Sequence, residues 1–147
     1  MSYMSKEMIT KAKEIIKANS LFLGEQNFGM CTLSVIDEEG YPTASIVTPT
    51  KSDGLRWLTF SSRETQNSVK RLRKCNRASL CFSSETYCIN LVGNIEIIDS
   101  EEVKQEMWYE GMEFDLSGPD DPNYCVLKFT TKRYKLFMDF EEVEGTF

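Results

Sequence analysis

The stretch Gly40–Phe82, GYPTASIVTPTKSDGLRWLTFSSRETQNSVKRLRKCNRASLCF, decides the fold class. It opens on a turn, EEGYP, where Gly40 is free to take a positive φ. TASIVTPT is a strand candidate, with Pro49 marking an edge or a bulge near its end. KSDG is a second turn signal, and RWLTFSS reads as another strand. ETQNSVKRLRKCN then changes period. Val69 and Leu72 anchor a helix between Thr65 and Cys75, before ASLCFSS returns to strand.

Working outward, MCTLSVID (residues 30–37) is the strand before the Gly40 turn, the strand pattern setting in from Phe28. With the next two it suggests a three-stranded antiparallel meander. Upstream, Met8, Ile9, Ala12, Ile15 and Ile16 recur at helical spacing. Ser5 is a candidate N-cap and Asn19 a stop. Downstream, YCINLVGNIEII is the fifth strand, with Gly93 a bulge or close approach. Asp99 or Ser100 caps a helix over EEVKQEMWYEG, with Glu101 and Glu102 in its first turn. EFDLSGPDDPNY is a polar loop. YCVLKFTT and YKLFMDF are strands six and seven. The order α-β-β-β-α-β-β-α-β-β lacks strand–helix alternation, so a parallel sheet is disfavoured. A mainly β, antiparallel barrel with helices at its ends fits.

Composition narrows the function. The chain has 147 residues, 41% apolar and 27% charged, and reads as one domain over 1–147. It has no histidine, so the imidazole base, the Ser-His-Asp triad and His-containing metal sites are excluded. Cys31, Cys75, Cys81, Cys88 and Cys125 are odd in number and form no C-x-x-C pair. We read them as reduced, mostly buried thiols of a cytoplasmic protein. The N-terminal segment lacks a signal-peptide apolar core, and no apolar run is long enough to span a bilayer.

Charge is unevenly placed. The chain is −6 overall, residues 51–77 sum to +6 and residues 93–124 to −9. The basic segment calls for an anion, or folds against the acidic one. Within it, Ser61, Ser62 and Arg63 end a strand just before a helix N-terminus, a natural phosphate site. Plain N-capping by Ser61, Ser62 or Thr65 is the competing explanation. Nucleic-acid binding through Lys70–Arg77 with Trp57 and Phe60 is opposed by net charge. The acidic loop Glu110–Asp121 lacks the calcium-loop spacing, and no metal site is assigned.

The ordered set Gly40-Tyr41-Pro42, the strand to Thr48, Thr59 to Ser62, the helix with Ser68 and Lys70, and Cys75-Asn76-Arg77 carries a resemblance. With LVGNIEIIDSEE, Trp108 and GPDDPNYCVLKFT, it resembles the FMN-binding split barrel of pyridoxamine 5′-phosphate oxidase-like proteins, the general stress protein 26 branch. That resemblance implies an antiparallel split β-barrel and a homodimer with FMN at the subunit interface. The phosphate would lie on Ser61, Ser62, Arg63, Gln66, Asn67, Ser68 and Lys70. The isoalloxazine edge would lie along Ser45, Ile46, Val47 and Thr48, and Trp108 of one subunit would wall the other's site. Trp108 as a core aromatic of an amphipathic helix is the competing explanation.

Where the oxidases of that family carry Arg, Lys and Lys, this chain carries Ser45, Thr50 and Ser68. Their C-terminal substrate motif is replaced by DFEEVEGTF, which argues against oxidation of pyridoxamine phosphate itself. The implied activity is an FMN-dependent oxidoreductase with a small-molecule substrate and a nicotinamide donor. A non-enzymatic flavin- or haem-binding carrier on the same fold is the alternative. Tyr87, Tyr109, Cys31 and Cys88 are candidates for neighbours of the ring, and no catalytic acid or base is assigned.

Overall fold

Local chemistry shapes each element of the computed structural model, which describes residues 3–24, 29–110, 112 and 115–147. Helix α1, Tyr3–Ala18, turns Met8, Ala12 and Ile16 into the core. It starts before Ser5, which lies inside the helix and not at its cap. Asn19 ends it, its Nδ2 donating to the Ile15 carbonyl at 2.9 Å. Strands β1, Cys31–Ile36, and β2, Pro42–Val47, form a hairpin. Asp37 Oδ1 accepts from the N–H groups of Glu39 and Tyr41, and Gly40 takes φ +87°.

The predicted meander stops there. Among the described residues β2 pairs with β1 and with no further strand, and the chain leaves it through Thr48-Pro49. KSD is not a turn but the short strand β3, Lys51–Asp53, which folds back on β4, Trp57–Arg63. The turn itself sits at Gly54, φ +56°. Helix α2, Asn67–Lys74, buries Val69 and Leu72 as expected. β5, Arg77–Ser83, lies between β1 and β6, Tyr87–Ile98.

Helix α3, Glu101–Glu106, is shorter than predicted. Ser100, not Asp99, caps it by accepting from Val103 N. It ends before Met107 because that side chain is drawn into a cluster with Met112, Leu116, Tyr124 and Val126. The predicted helix end at Gly111, the acidic residue Glu113 and the strand onset at Phe28 lie outside the described residues.

The predicted strands six and seven are one strand, β7, Tyr124–Met138. The polar Lys132-Arg133 pair suggested a break. Instead the strand bends through a register shift opposite Val92/Gly93. A Cβ on Gly93 would fall 2.0 Å from the Thr130 carbonyl oxygen, so only glycine fits. β8, Glu141–Thr146, went unpredicted. Its EEVEGT run is too polar to signal a strand. Its hairpin turn is Asp139-Phe140, both at positive φ (50° and 67°), in place of the usual Asn-Gly.

The fold is thus mainly β: among the described residues, eight antiparallel strands in the order β2-β1-β5-β6-β7-β4-β3, with β8 also on β7, and three helices. The end strands β2 and β3 share no ladder, which leaves the barrel split. Leu33, Leu58, Leu80, Leu91, Phe129 and the α1 residues pack in one core cluster. Lys104, the basic residue of the acidic segment, is buried. Its Nζ donates to the Asp121 carbonyl at 3.0 Å and lies 5.5 Å from the Tyr124 ring centroid. All five cysteines are free, but only Cys31 and Cys125 are buried; the others are half-buried. No helix among the described residues is long and apolar enough to cross a membrane.

Candidate functional site

Strand β4 ends where α2 begins, and Asn123 fastens the joint. Its carbonyl accepts from Glu64 N at 2.7 Å and its Oδ1 from Thr65 N at 3.2 Å. The N-cap of α2 is Gln66, whose side chain makes no capping bond. None of the nearby hydroxyls caps the helix either. Ser61 Oγ donates to the Met107 carbonyl at 3.4 Å, and Thr65 Oγ1 accepts from Asn123 Nδ2 at 3.3 Å. The first intrahelical acceptor, Gln66 O, serves Lys70 N. The N–H groups of Asn67, Ser68 and Val69 therefore have no helical partner, and the dipole there favours an anion.

Beside this helix end lies a cleft of about 390 Å³. Strand β2 and the residue after it give it Ser45, Ile46, Val47 and Thr48. The β4 end gives Ser61, Ser62 and Arg63, and the α2 start gives Gln66 and Ser68. Two segments far apart in sequence and unpaired with each other in the sheet thus meet on one cavity. Arg71 ties them together: its Nε pairs with Glu38 at 3.2 Å and its Nη1 donates to Thr43 Oγ1 at 3.3 Å. Sequence reasoning missed this clamp, since nothing local marks which face of α2 meets β2.

Three predicted residues do not line the cleft. Asn67 and Lys70 are exposed beside it. Trp108 stands edge-on to Tyr124 with ring centroids 5.5 Å apart, in the cluster below α3. Thr50 is buried outside the cleft and donates to the Thr59 carbonyl at 3.0 Å. Tyr109 does line it, with Phe60, Met112, Asp115 and Leu116. The last three come from the stretch between α3 and β7, whose sequence carries no periodic signal. Tyr87, Cys31 and Cys88 lie elsewhere.

Electrostatically the cleft is balanced. Arg63 Nη1 sits 3.4 Å from Asp115 Oδ1. The Gln66 amide, turned with its oxygen toward Arg63, accepts from Nε at 3.2 Å. Burial pushes the Tyr109 phenol above its usual pKa, so it stays protonated at neutral pH. The basic and acidic segments do fold together, through Arg63–Asp115 and through Lys51–Glu106 at 3.0 Å. Among the described residues no group of three or more acidic or thiol side chains is arranged to hold a metal ion.

Solved structures share this architecture. A protein related to general stress protein 26 from Clostridium acetobutylicum is 24% identical, covers 96% of this chain and 95% of its own, and superposes with a TM-score of 0.80. A pyridoxamine 5′-phosphate oxidase-related, FMN-binding protein from Nostoc punctiforme is 12% identical over 97% and 94%, TM-score 0.66. A heme-binding protein from Mycobacterium smegmatis is 17% identical over 92% and 57%, TM-score 0.67. No curated protein matches the chain. The family model described as pyridoxamine 5′-phosphate oxidase matches residues 17–137, a span that holds both walls of the cleft and the strands between them. By that match, the chain belongs to the pyridoxamine 5′-phosphate oxidase family.

Proposed function

We propose that the cleft between β2 and α2 binds FMN and that the protein is a flavin-dependent oxidoreductase. The observation that carries this reading is the unspent donor set: free N–H groups at Asn67–Val69, uncommitted to any capping side chain, beside Ser62, Ser68 and Arg63. That set suits a phosphate. The family's cations are absent at Ser45 and Ser68, but hydroxyls and backbone N–H groups serve the same ligand. Ser45–Val47 lie on an edge strand, followed directly by Thr48, and its outer backbone groups are free to meet the polar rim of a ring. The volume is that of a small-ligand site.

FMN, when bound, supplies hydride and electron transfer. The chain's own residues hold its phosphate, align its ring along β2 and offer the protonated Tyr109 phenol in the same wall. The cleft's outer side is open at Ile46, which is 64% exposed, and Tyr41 in the β1–β2 turn is 65% exposed. A second copy covering that side, in a homodimer, fits these exposed apolar groups. A small-molecule substrate and a nicotinamide donor complete the reading.

A carrier without turnover is the second reading. Arg63, Tyr109 and Asp115 are the titratable side chains among the described lining residues, and Arg63 and Asp115 are paired with each other. The test is FMN titration followed by desalting. One flavin should be retained per chain, and Ser68→Glu, which sets a carboxylate at the helix start, should abolish retention without loss of helix and sheet signal. Unchanged binding in Ser68→Glu overturns the site. Retained flavin that neither NADH nor NADPH reduces favours the carrier.

A further inference from the structure

A second and larger cleft, about 930 Å³, lies away from β2 and α2. One side is α1, whose Lys6, Thr10, Lys13 and Lys17 fall in a single stripe next to the core-facing one. The other sides are the β3–β4 turn, the inward face of β7 and the end of β8. Its floor is apolar. Leu55 and Tyr134 are buried there, and the half-exposed Phe147 ring packs at 5.6 Å on Tyr134.

Its rim is cationic. Lys6, Lys13, Lys17 and Arg56 line the cleft against Glu14 and Asp53, a surplus of positive charge on a chain of −6. Among the described residues none of the four cations has an ion-pair partner, although Lys51, Arg63, Arg71 and Arg73 all do. The Arg56 guanidinium lies 5.5 Å over the Phe147 ring. The Lys13 methylenes lie on Gly54, where a Cβ would be 3.3 Å from Cγ and Cε, so the stem packs on the turn that carries Arg56 two residues on. Two cations thus flank an aromatic floor in a concave site of small-ligand size.

We propose that this cleft binds a small organic anion with an apolar body. The body rests on Leu55, Tyr134 and Phe147, and the acidic head meets Lys13 and Arg56. Charge complementarity sets the sign of the ligand, and the four-sided enclosure sets its size. The site is separate from the flavin cleft, with which it shares no residue.

The test uses 8-anilinonaphthalene-1-sulfonate, an aromatic sulfonate, titrated into the whole protein while amide NMR shifts are followed. Shifts are expected at Lys13, Gly54, Arg56 and Phe147, and saturating FMN should leave them unchanged. Lys13→Gln/Arg56→Gln should weaken the sulfonate about tenfold. The uncharged analogue N-phenyl-1-naphthylamine should change less than about twofold. Both replaced side chains are exposed, so the fold should be kept. Thr10→Glu, which adds an anion to the rim, should weaken the sulfonate as an independent variant. Shifts confined to the Ser61–Ser68 region, or a double variant that binds the sulfonate as tightly as the parent, overturn the proposal. So does self-association that the double variant abolishes, which would assign the cleft to the acidic segment of a second copy.

Discussion

In the proposed FMN site, Asp115 and the phosphate compete for Arg63, and the outcome can be worked from the geometry. The pair spans 3.4 Å, with the Arg63 side chain 34% and the Asp115 side chain 55% exposed. A pair so open to water is worth at most about 1 kcal/mol. A charge-assisted contact from Arg63 to a phosphate oxygen is worth about 1.5–3 kcal/mol. The phosphate therefore wins, and binding must give up the existing pair. Asp115→Asn removes that cost and an anion from the site, so FMN should bind up to about fivefold more tightly. Arg63→Gln loses the phosphate contact less the forfeited pair, so FMN should weaken by about 2- to 150-fold. Quenching of flavin fluorescence gives both affinities. The gain in Asp115→Asn should shrink as salt is raised, since the pair is solvent-facing. Weaker binding by Asp115→Asn, or no loss in Arg63→Gln, would refute the assignment of Arg63 to the phosphate.

Three further outcomes concern the scaffold. Gly93→Ala places a Cβ 2.0 Å from the Thr130 carbonyl oxygen and 3.1 Å from the Phe129 ring. Urea unfolding should show a loss of about 3 kcal/mol, and a loss under about 0.5 kcal/mol would mean the bulge is not constrained. Phe140→Gly relieves an L-residue at φ 67°. The left-handed cost of about 1–2 kcal/mol exceeds glycine's extra unfolded-state entropy of roughly 0.5–1 kcal/mol, so the melting temperature should rise. A fall would show that the Phe137–Phe140 edge contact at 6.2 Å outweighs the backbone term. The Asp121 carboxylate has its pKa lowered by the N–H of Ser117 first and of Asn123 next. A lowered folded pKa stabilises the fold above the ordinary carboxylate pKa, and the benefit is lost as pH falls through that value to the folded one. The urea midpoint should drop more from pH 7 to pH 3 in the parent than in Asp121→Asn; equal drops would refute the coupling.

Much of the fold was legible locally. The Met8–Ile16 stripe, the Asp37–Gly40 turn, and the passage from TFSSR into a helix anchored by Val69 and Leu72 all follow from period and turn chemistry. The β4–α2 wall of the candidate site was legible for the same reason, since Ser61, Ser62, Arg63, Gln66 and Ser68 sit within eight residues. Other features gave no local signal. Lys132-Arg133 looked like a break because its polarity is read without knowing that the strand bends at Gly93. EEVEGT looked like a tail because an exposed edge strand needs no apolar alternation. Met112, Asp115 and Leu116 reach the cleft from a segment with no period at all.

The sequence by itself determined most of the elements, the β-rich class and the polar β4–α2 joint, because each depends on residues a few positions apart. Only the tertiary structure decided that β4 pairs with β7 and not with β2, that Arg71 clamps α2 to the β2 hairpin, and that Asp115 faces Arg63. Those contacts join residues separated by tens of positions. They are selected by how a curved sheet buries one common core, which no short window of residues records.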